Sequence, residues 1–398
     1  MKSIDGTRLN QGRTGLMGLI LGVVAVGVEG LVISPILGDI SREFVVDATQ
    51  TAWAVAVYGL ALALIAPPIG LWGGKFSRRA VMTVGLIVFV VSGLLCAAAT
   101  NFAMFVGARA LCGAAAGAFL PSCYAYVGDS TPYENRGQVM GWVMAGWSIA
   151  LILGVPVGSV AGEFLGWRGA FVGVSVLGAV AAFLVMGLPN VASSNNPGSS
   201  IAKDALAVIR SAVPVLLLVN FLDMVSFYGV YTYLGMVVRA RLGLGSSAFG
   251  IFVLCYGMGL LVGTMNARLL DKWGKERIAA CALALLVVVF IALPGATSNH
   301  GFLAVCMVLW GMLQGLSQTG IAALITQAGR RATGVATACM SCTTYLAVAI
   351  GAMAGGSLLE AYGFTALSWA AAMCVIFSSG ILIRNERAIA RPVPPQFD

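Results

Sequence analysis

Three observations predict an all-α integral membrane protein whose twelve transmembrane helices form two parallel-repeat six-helix bundles. Hydrophobic residues make up 59% of the 398-residue chain and charged residues only 10%, which leaves too little polar surface to cover a soluble core. Apolar runs of about 20 or more residues, each long enough to cross a hydrocarbon layer of roughly 30 Å, recur from end to end. Residue identities also return at a fixed offset of 197 positions, as in Gly154 and Gly351, Gly158 and Gly355, Glu163 and Glu360, and Gly166 and Gly363. A constant offset marks duplication.

In chain order the spans are 14–37, 50–72, 79–99, 103–127, 137–162 and 167–188, then 208–237, 247–269, 278–297, 301–327, 333–358 and 363–383. The first is too long, and the loop after it too poor in a small-residue cleavage site, to be a removed signal peptide. The polar stretch NVASSNNPGSS (Asn190 to Ser200) comes after the sixth span and divides the chain into a bundle over 1–189, a cytoplasmic linker over 190–206 and a bundle over 207–398. Six spans per half start both copies on the same side, so the repeat axis runs along the membrane normal. Rocking one bundle against the other would expose the space between them to alternate sides.

Most basic residues fall at one set of loop ends, including Lys75, Arg78, Arg79, Lys272, Lys275 and Arg277, whereas only Arg42, Arg168, Arg239 and Arg241 fall at the other. Short loops rich in Lys and Arg stay in the cytoplasm. Both termini are therefore assigned there, with the chain in the cell membrane. This asymmetry accounts for the +8 net charge, so nucleic acid is not an expected partner. The expected partners are a small-molecule substrate, protons and the lipid bilayer, and the chain is expected to act as a monomer.

The nine cysteines are dispersed through the apolar spans and make no disulfide framework. Cys339 and Cys342 read as small packing residues of a helix, and neither a metal nor a cofactor is expected. No glycine-rich loop ending in G-K-S/T is present, and the lone His300 completes neither a Ser/His/Asp set nor H-E-x-x-H. Drive by ATP within this chain and membrane-embedded hydrolysis are both disfavoured.

The loop after span two reads GLWGGKFSRR (Gly70 to Arg79) and its copy after span eight reads ARLLDKWGKER (Ala267 to Arg277). Span four carries RALCGAAAG (Arg109 to Gly117), and span five carries LGVPVGSVAGEFLGWRGAF (Leu153 to Phe171). These resemble the loop signature G-x-L-x-D-x-x-G-R-K, the R-x-x-x-G signature and the glycine-proline antiporter signature of the major facilitator superfamily. The first loop departs from its pattern at Gly74 and Ser77, whereas Asp271 and Gly274 keep it in the second copy. The likeness covers essentially the whole chain and is closest to the twelve-span drug:proton antiporters of the sugar- and drug-efflux type. It implies the major facilitator fold and export of a small organic compound, drug, sugar or metabolite, in exchange for protons. Proton-coupled uptake and uncoupled diffusion are the alternatives within that fold, because one fold carries many substrates.

Charges inside spans are costly, by roughly 2.5–3.5 kcal/mol at a helix centre, and usually face a cavity or a partner. Glu29, Arg109 and Asp223 are the three that stand out. At 1.5 Å per residue, Glu29 lies on the order of 12 Å from the outer end of span one and Arg109 roughly 10 Å from that of span four, so the two can meet. The resemblance implies that spans one, four, seven and ten line the cavity, where Arg109 would hold Glu29 ionised until a proton or substrate competes. A permanent salt bridge joining two helices is the other reading of that pair.

Asn220, Asp223, Phe227 and Tyr231 share one face of span seven, and Trp310, Gln314 and Gln318 share one face of span ten. A carboxylate among amides and rings suits an amphipathic organic molecule, with interhelical hydrogen bonding as the alternative. Tyr58 and Tyr124 are further candidates for the cavity wall. Glu29, Asp223 and Arg109 are the candidates for proton coupling. Gly154, Gly158 and Pro156 on span five, with Arg78, Arg79 and Asp271 at the loops, are the gating candidates.

Overall fold

A computed structural model describes residues 6–72, 77–191, 201–266 and 268–385. Helices account for nearly all of them, and no strand occurs among the described residues. The first bundle comprises α1 (Gly6–Leu31), α2 (Ile33–Phe44), α3 (Ala48–Trp72), α4 (Arg78–Ala97), α5 (Phe102–Ser130), α6 (Tyr133–Ile149), α7 (Val155–Phe164) and α8 (Trp167–Met186). The second comprises α10 (Val213–Leu242), α11 (Ser246–Met265), α12 (Arg268–Trp273), α13 (Lys275–Ala296), α14 (His300–Ala328) and α15 (Thr333–Arg384), preceded by the short α9 (Ile201–Ile209). The stretch expected as linker thus ends in a helix, and span seven begins at Val213 rather than 208.

Eleven helices among the described residues are long and apolar enough to cross a bilayer. The last runs for 52 residues and is broken at Gly363, where φ is 77° and ψ 176°, so it supplies two crossings and the total is twelve. Gly166, its repeat mate, has φ 73° and ψ 164°. Only glycine adopts this backbone region readily. The duplicated glycines of the sequence therefore make the same left-handed corner between the last two spans of each bundle.

Even crossing numbers leave α1 and the end of α15 at one face of the bilayer, here the terminal face; the opposite one is the distal face. Polar residues start the helices there. Asp47 Oδ1 accepts from Gln50 N at 2.6 Å while Gln50 Oε1 accepts from Asp47 N at 3.2 Å, a reciprocal cap for α3. Asn101 and Asn299 cap α5 and α14 through Met104 N at 2.8 Å and Phe302 N at 3.0 Å.

Small residues set how closely the spans approach. A side chain at Gly154, Gly158 or Gly162 would run into Val28, Val32 and Ile36 of α1 and α2. At Gly351 and Gly355 it would meet the α10 backbone at Val225 and Gly229. The partners of Gly154 and Gly158 recur at the same offset of 197 (225 − 28, 229 − 32), so the duplication persists in the packing. The span-five glycines expected at a gate thus pack within their own bundle. Close approaches across the seam between bundles come instead at Gly250 and Gly257 of α11, against Pro156, Ser159, Leu151 and Ile152, at Gly59 of α3 against Tyr345 and Val348, and at Gly235 of α10 against Ser34. Next to that seam α6 passes into α7 through a π-helical turn, Ala150–Gly154, just ahead of Pro156.

Candidate functional site

Glu29 of α1 and Arg109 of α5 are fully buried and form an ion pair from Nη1 to Oε1. The α3 helix holds the guanidinium in place: Arg109 Nε donates to the Ala54 carbonyl at 2.9 Å, and the Tyr58 ring lies under it, 4.6 Å from Cζ to the centroid. The backbone admits this contact because Gly113 lets α5 rest directly on the main chain of Tyr58. Tyr58 and Cys112 face the same carboxylate. Glu29 Oε2 and Arg109 Nη2 nevertheless lack hydrogen bonds. Tyr58, expected on the cavity wall, is a buried support of the ion pair.

Asp223, on α10, has a different environment. Its Oδ2 accepts from Gln318 Nε2 at 2.7 Å, Gln314 Nε2 at 3.0 Å and Ser317 Oγ at 3.4 Å, all on one face of α14, while Oδ1 has no partner. None of the ion pairs among the described residues involves Asp223. Neutral donors alone hold the carboxylate there. Two residues expected to line a cavity, Gln314 and Gln318, thus bind the acid expected to carry a proton. Ser317 lies between them at i+3 and was missed in the sequence because serine is unremarkable in a membrane helix.

On the distal side of Asp223 the rings close together. Phe227 stacks on Tyr231 at 5.2 Å with 16° between planes and meets the Trp310 edge at 5.6 Å, and Tyr256 joins both. Phe227 and Trp310 are buried in the second bundle and Tyr231 is buried at the seam between the bundles, rather than standing on an open wall. Tyr124 is half-buried and accepts from Trp147 Nε1 at 3.1 Å. Asn220 turns to α15 and donates to Thr344 Oγ1 at 2.9 Å.

Above both carboxylates the bundles are fastened. Ser34 Oγ donates to the Tyr231 carbonyl at 2.5 Å, and Tyr231 Oη donates to the Leu31 carbonyl at 3.1 Å. Further out, Arg239 binds Asp39 Oδ2 at 2.7 Å and the Pro35 carbonyl at 2.6 Å. Glu163 Oε2 accepts from Ser247 N at 2.8 Å and Ser247 Oγ at 2.5 Å, and Glu360 Oε2 accepts from Thr49 Oγ1 at 2.5 Å. Cross-bundle hydrogen bonds among the described residues lie in this distal half, apart from a contact of 3.8 Å from Cys342 Sγ to the Ala63 carbonyl.

On the terminal face Arg78 pairs with Asp129 at 3.5 Å and Arg79 donates to the Leu188 carbonyl at 2.9 Å, both within the first bundle. Gly74 and Lys75, and the side chain of Asp271, lie outside the described residues.

The Major Facilitator Superfamily family description matches residues 19–338. The chain belongs to that superfamily. A Bacillus subtilis (strain 168) relative, the uncharacterized MFS-type transporter YwfA, is 34% identical over 357 residues, covering 88% of this chain and 87% of the relative. Major facilitator structures of low identity share the fold. A bacterial homolog of the human lysosomal transporter Spinster, inward-facing and occupied, superposes with a TM-score of 0.74 at 15% identity, over 94% of this chain and 96% of that one. The human organic anion transporter MFSD10 (TETRAN) gives 0.72 at 18%, over 93% and 99%. As a major facilitator the chain is a multi-pass membrane transporter and not an enzyme.

Proposed function

We propose that this transporter exports a small organic compound from the cytoplasm in exchange for protons, as a monomer in the cell membrane with both chain ends in the cytoplasm. The observation that carries the reading is the pair of fully buried carboxylates on the first span of each bundle, Glu29 on α1 and Asp223 on α10. Among the described residues one is balanced by Arg109 and the other by no cation. A buried carboxylate that must be neutralised before the bundles reorient, and can be neutralised by a proton, supplies the coupling. The fastened distal half supports a resting state open toward the terminal face, where the basic loops place the cytoplasm. The glycine-proline pattern of span five supports export over uptake.

The test is substrate-triggered proton movement in proteoliposomes carrying an internal pH dye, with a panel of antibiotics, sugars, nucleosides and chelators. A flux evoked by one compound and lost in Glu29→Gln or Asp223→Asn, with binding retained, is the expected result. Compound movement without proton flux, equally fast in both variants, overturns the antiport reading.

A further inference from the structure

The thiols of Cys339 and Cys342 stand three residues apart on α15, close enough to interact. Packing residues of a helix would be buried, but both are half-exposed. Counted from Thr333, where α15 starts at the terminal face, they lie roughly 9 and 14 Å deep at 1.5 Å per residue. Cys342 also reaches the other bundle: its Sγ donates to the Ala63 carbonyl of α3 at 3.8 Å, the one cross-bundle hydrogen bond of the terminal half among the described residues. The sequence of α3 explains why that carbonyl is open to a thiol. Pro67 stands four residues on and has no N–H to return to it. Two sulfurs of the second bundle and a backbone oxygen of the first thus meet where the seam is least fastened.

Spacing and charge decide what such a set can hold. Side chains at i and i+3 of a helix have Cβ atoms about 5–6 Å apart, whereas a disulfide needs about 3.5–4.5 Å. The pair is too wide to close on itself within the helix and wide enough for one atom between the sulfurs. Zinc in a structural site takes four ligands, and no third His, Cys, Asp or Glu joins the two among the described residues. Two thiolates on a monovalent soft ion such as Cu(I) keep a net negative charge, which a half-buried site within a membrane span disfavours. Two on a trivalent organoarsenical leave none. We infer that Cys339 and Cys342 form a binding site for a trivalent organoarsenical, and that the Ala63 carbonyl holds Cys342 until the arsenic takes it. In the capture step R–As=O meets two S–H groups: two As–S bonds form, the oxygen leaves as water with both thiol protons, and arsenic stays trivalent. The distal half is fastened, so entry is from the terminal face. The site is independent of proton coupling and of the direction of transport.

Phenylarsine oxide is the probe, added to the reduced, purified full-length protein and read by intact mass. One phenylarsenic per chain is expected, removed by dimercaptopropanol and not by the same concentration of mercaptoethanol. Peptide mapping of the wild-type adduct should place it on the segment holding Cys339 and Cys342, a reading that needs no variant. Cys339→Ser and Cys342→Ser should each lose the adduct, while Cys281→Ser, which removes the exposed thiol of α13, should keep it. Absence of an adduct, a map that places it on other cysteines such as the buried Cys96 and Cys112, or its retention in either α15 variant overturns the inference. So does retention of Cu(I) by a protein that takes up no arsenical, which would make this a metal site. Pro67→Ala tests the hold of the Ala63 carbonyl, because the restored N–H can return to that oxygen and free the thiol. Capture should then run about threefold faster, the scale of one weak hydrogen bond, and an unchanged or slower rate overturns that hold. In sealed proteoliposomes an arsenical with a fixed charge, unable to cross the bilayer, should label the molecules whose carboxyl-terminal end is open to protease from outside. Labelling of the others instead overturns entry from the terminal face.

Discussion

Glu163 and Glu360 stand 197 positions apart (360 − 163), and each holds the start of a helix in the opposite bundle, the first at Ser247 of α11 and the second at Thr49 of α3. A carboxylate at a helix start satisfies donors that the helix cannot, and meets the positive end of its dipole. Glu163→Ala, which frees the Ser247 N–H, should therefore speed amide exchange at the start of α11, whereas Glu360→Ala, which removes only a bond to the Thr49 hydroxyl, should leave amide exchange at the start of α3 close to wild type. Hydrogen exchange read by mass spectrometry should show about fivefold acceleration at α11 in Glu163→Ala, the scale of one exposed charge-assisted bond.

The ion pair of Glu29 and Arg109 makes a prediction about stability. Removing one partner leaves a charge buried and bare, so Arg109→Gln should cost about 3–5 kcal/mol. Adding Glu29→Gln to it should recover most of that loss. Arg109→Lys should rescue poorly, because lysine has no Nε to reach the Ala54 carbonyl and no planar group to lie on Tyr58. Thermal unfolding of the wild type, Arg109→Gln, Glu29→Gln and the double variant in one detergent gives the cycle, with Arg109→Lys measured beside them.

Gly166→Ala and Gly363→Ala should each destabilise by about 1–3 kcal/mol, since both positions need a backbone conformation that a Cβ disfavours. Open space surrounds both, so crowding would not explain a loss. Gly380→Ala, also in open space but helical, is the matched control and should be close to neutral.

Glu43 tethers α2 to the start of α8 through Arg168 Nη1 and Trp167 Nε1, both at 2.5 Å. Chiefly the Arg168 hydrogen bond, helped by the indole, holds its carboxyl below the usual carboxylate range. A lowered folded pKa means the contribution is complete above the unfolded value of about 4.3 and fades as pH falls through the folded value. The difference in unfolding temperature between the wild type and Glu43→Gln should stay level from pH 8 to 5 and shrink below pH 4.

Fold and repeat were legible because both leave local marks: runs of apolar residues, a polar stretch after the sixth, and identities at one offset. Glu29 and Arg109 could be matched by depth alone, since rise per residue fixes where each lies along its helix. The partners of Asp223 were harder. Gln314 and Gln318 share a helical face, but that face does not say whether it looks into a cavity or across to α10, and the structure turns it to Asp223. Tyr58 and Trp310 were misplaced for a related reason: an aromatic ring in a membrane helix fits a wall or a core equally well, and only neighbours such as Arg109 and Phe227 decide. The clasp of Ser34 and Tyr231 depends on how the two halves dock, which no single-chain periodicity encodes.

The unbalanced charge at Asp223 bears on what energy source such a carrier can use. On the antiport reading, the empty carrier holds one bare negative charge and does not reorient, whereas the carrier neutralised at Asp223 does. Membrane voltage, worth about 2.3 kcal/mol per 100 mV for a charge crossing the whole field, then acts through the net charge exchanged in each cycle. Trading one proton for one monocation would transfer no net charge, whereas trading it for a neutral compound would move one positive charge inward. A cell whose voltage has collapsed but whose interior remains alkaline would still clear the compound.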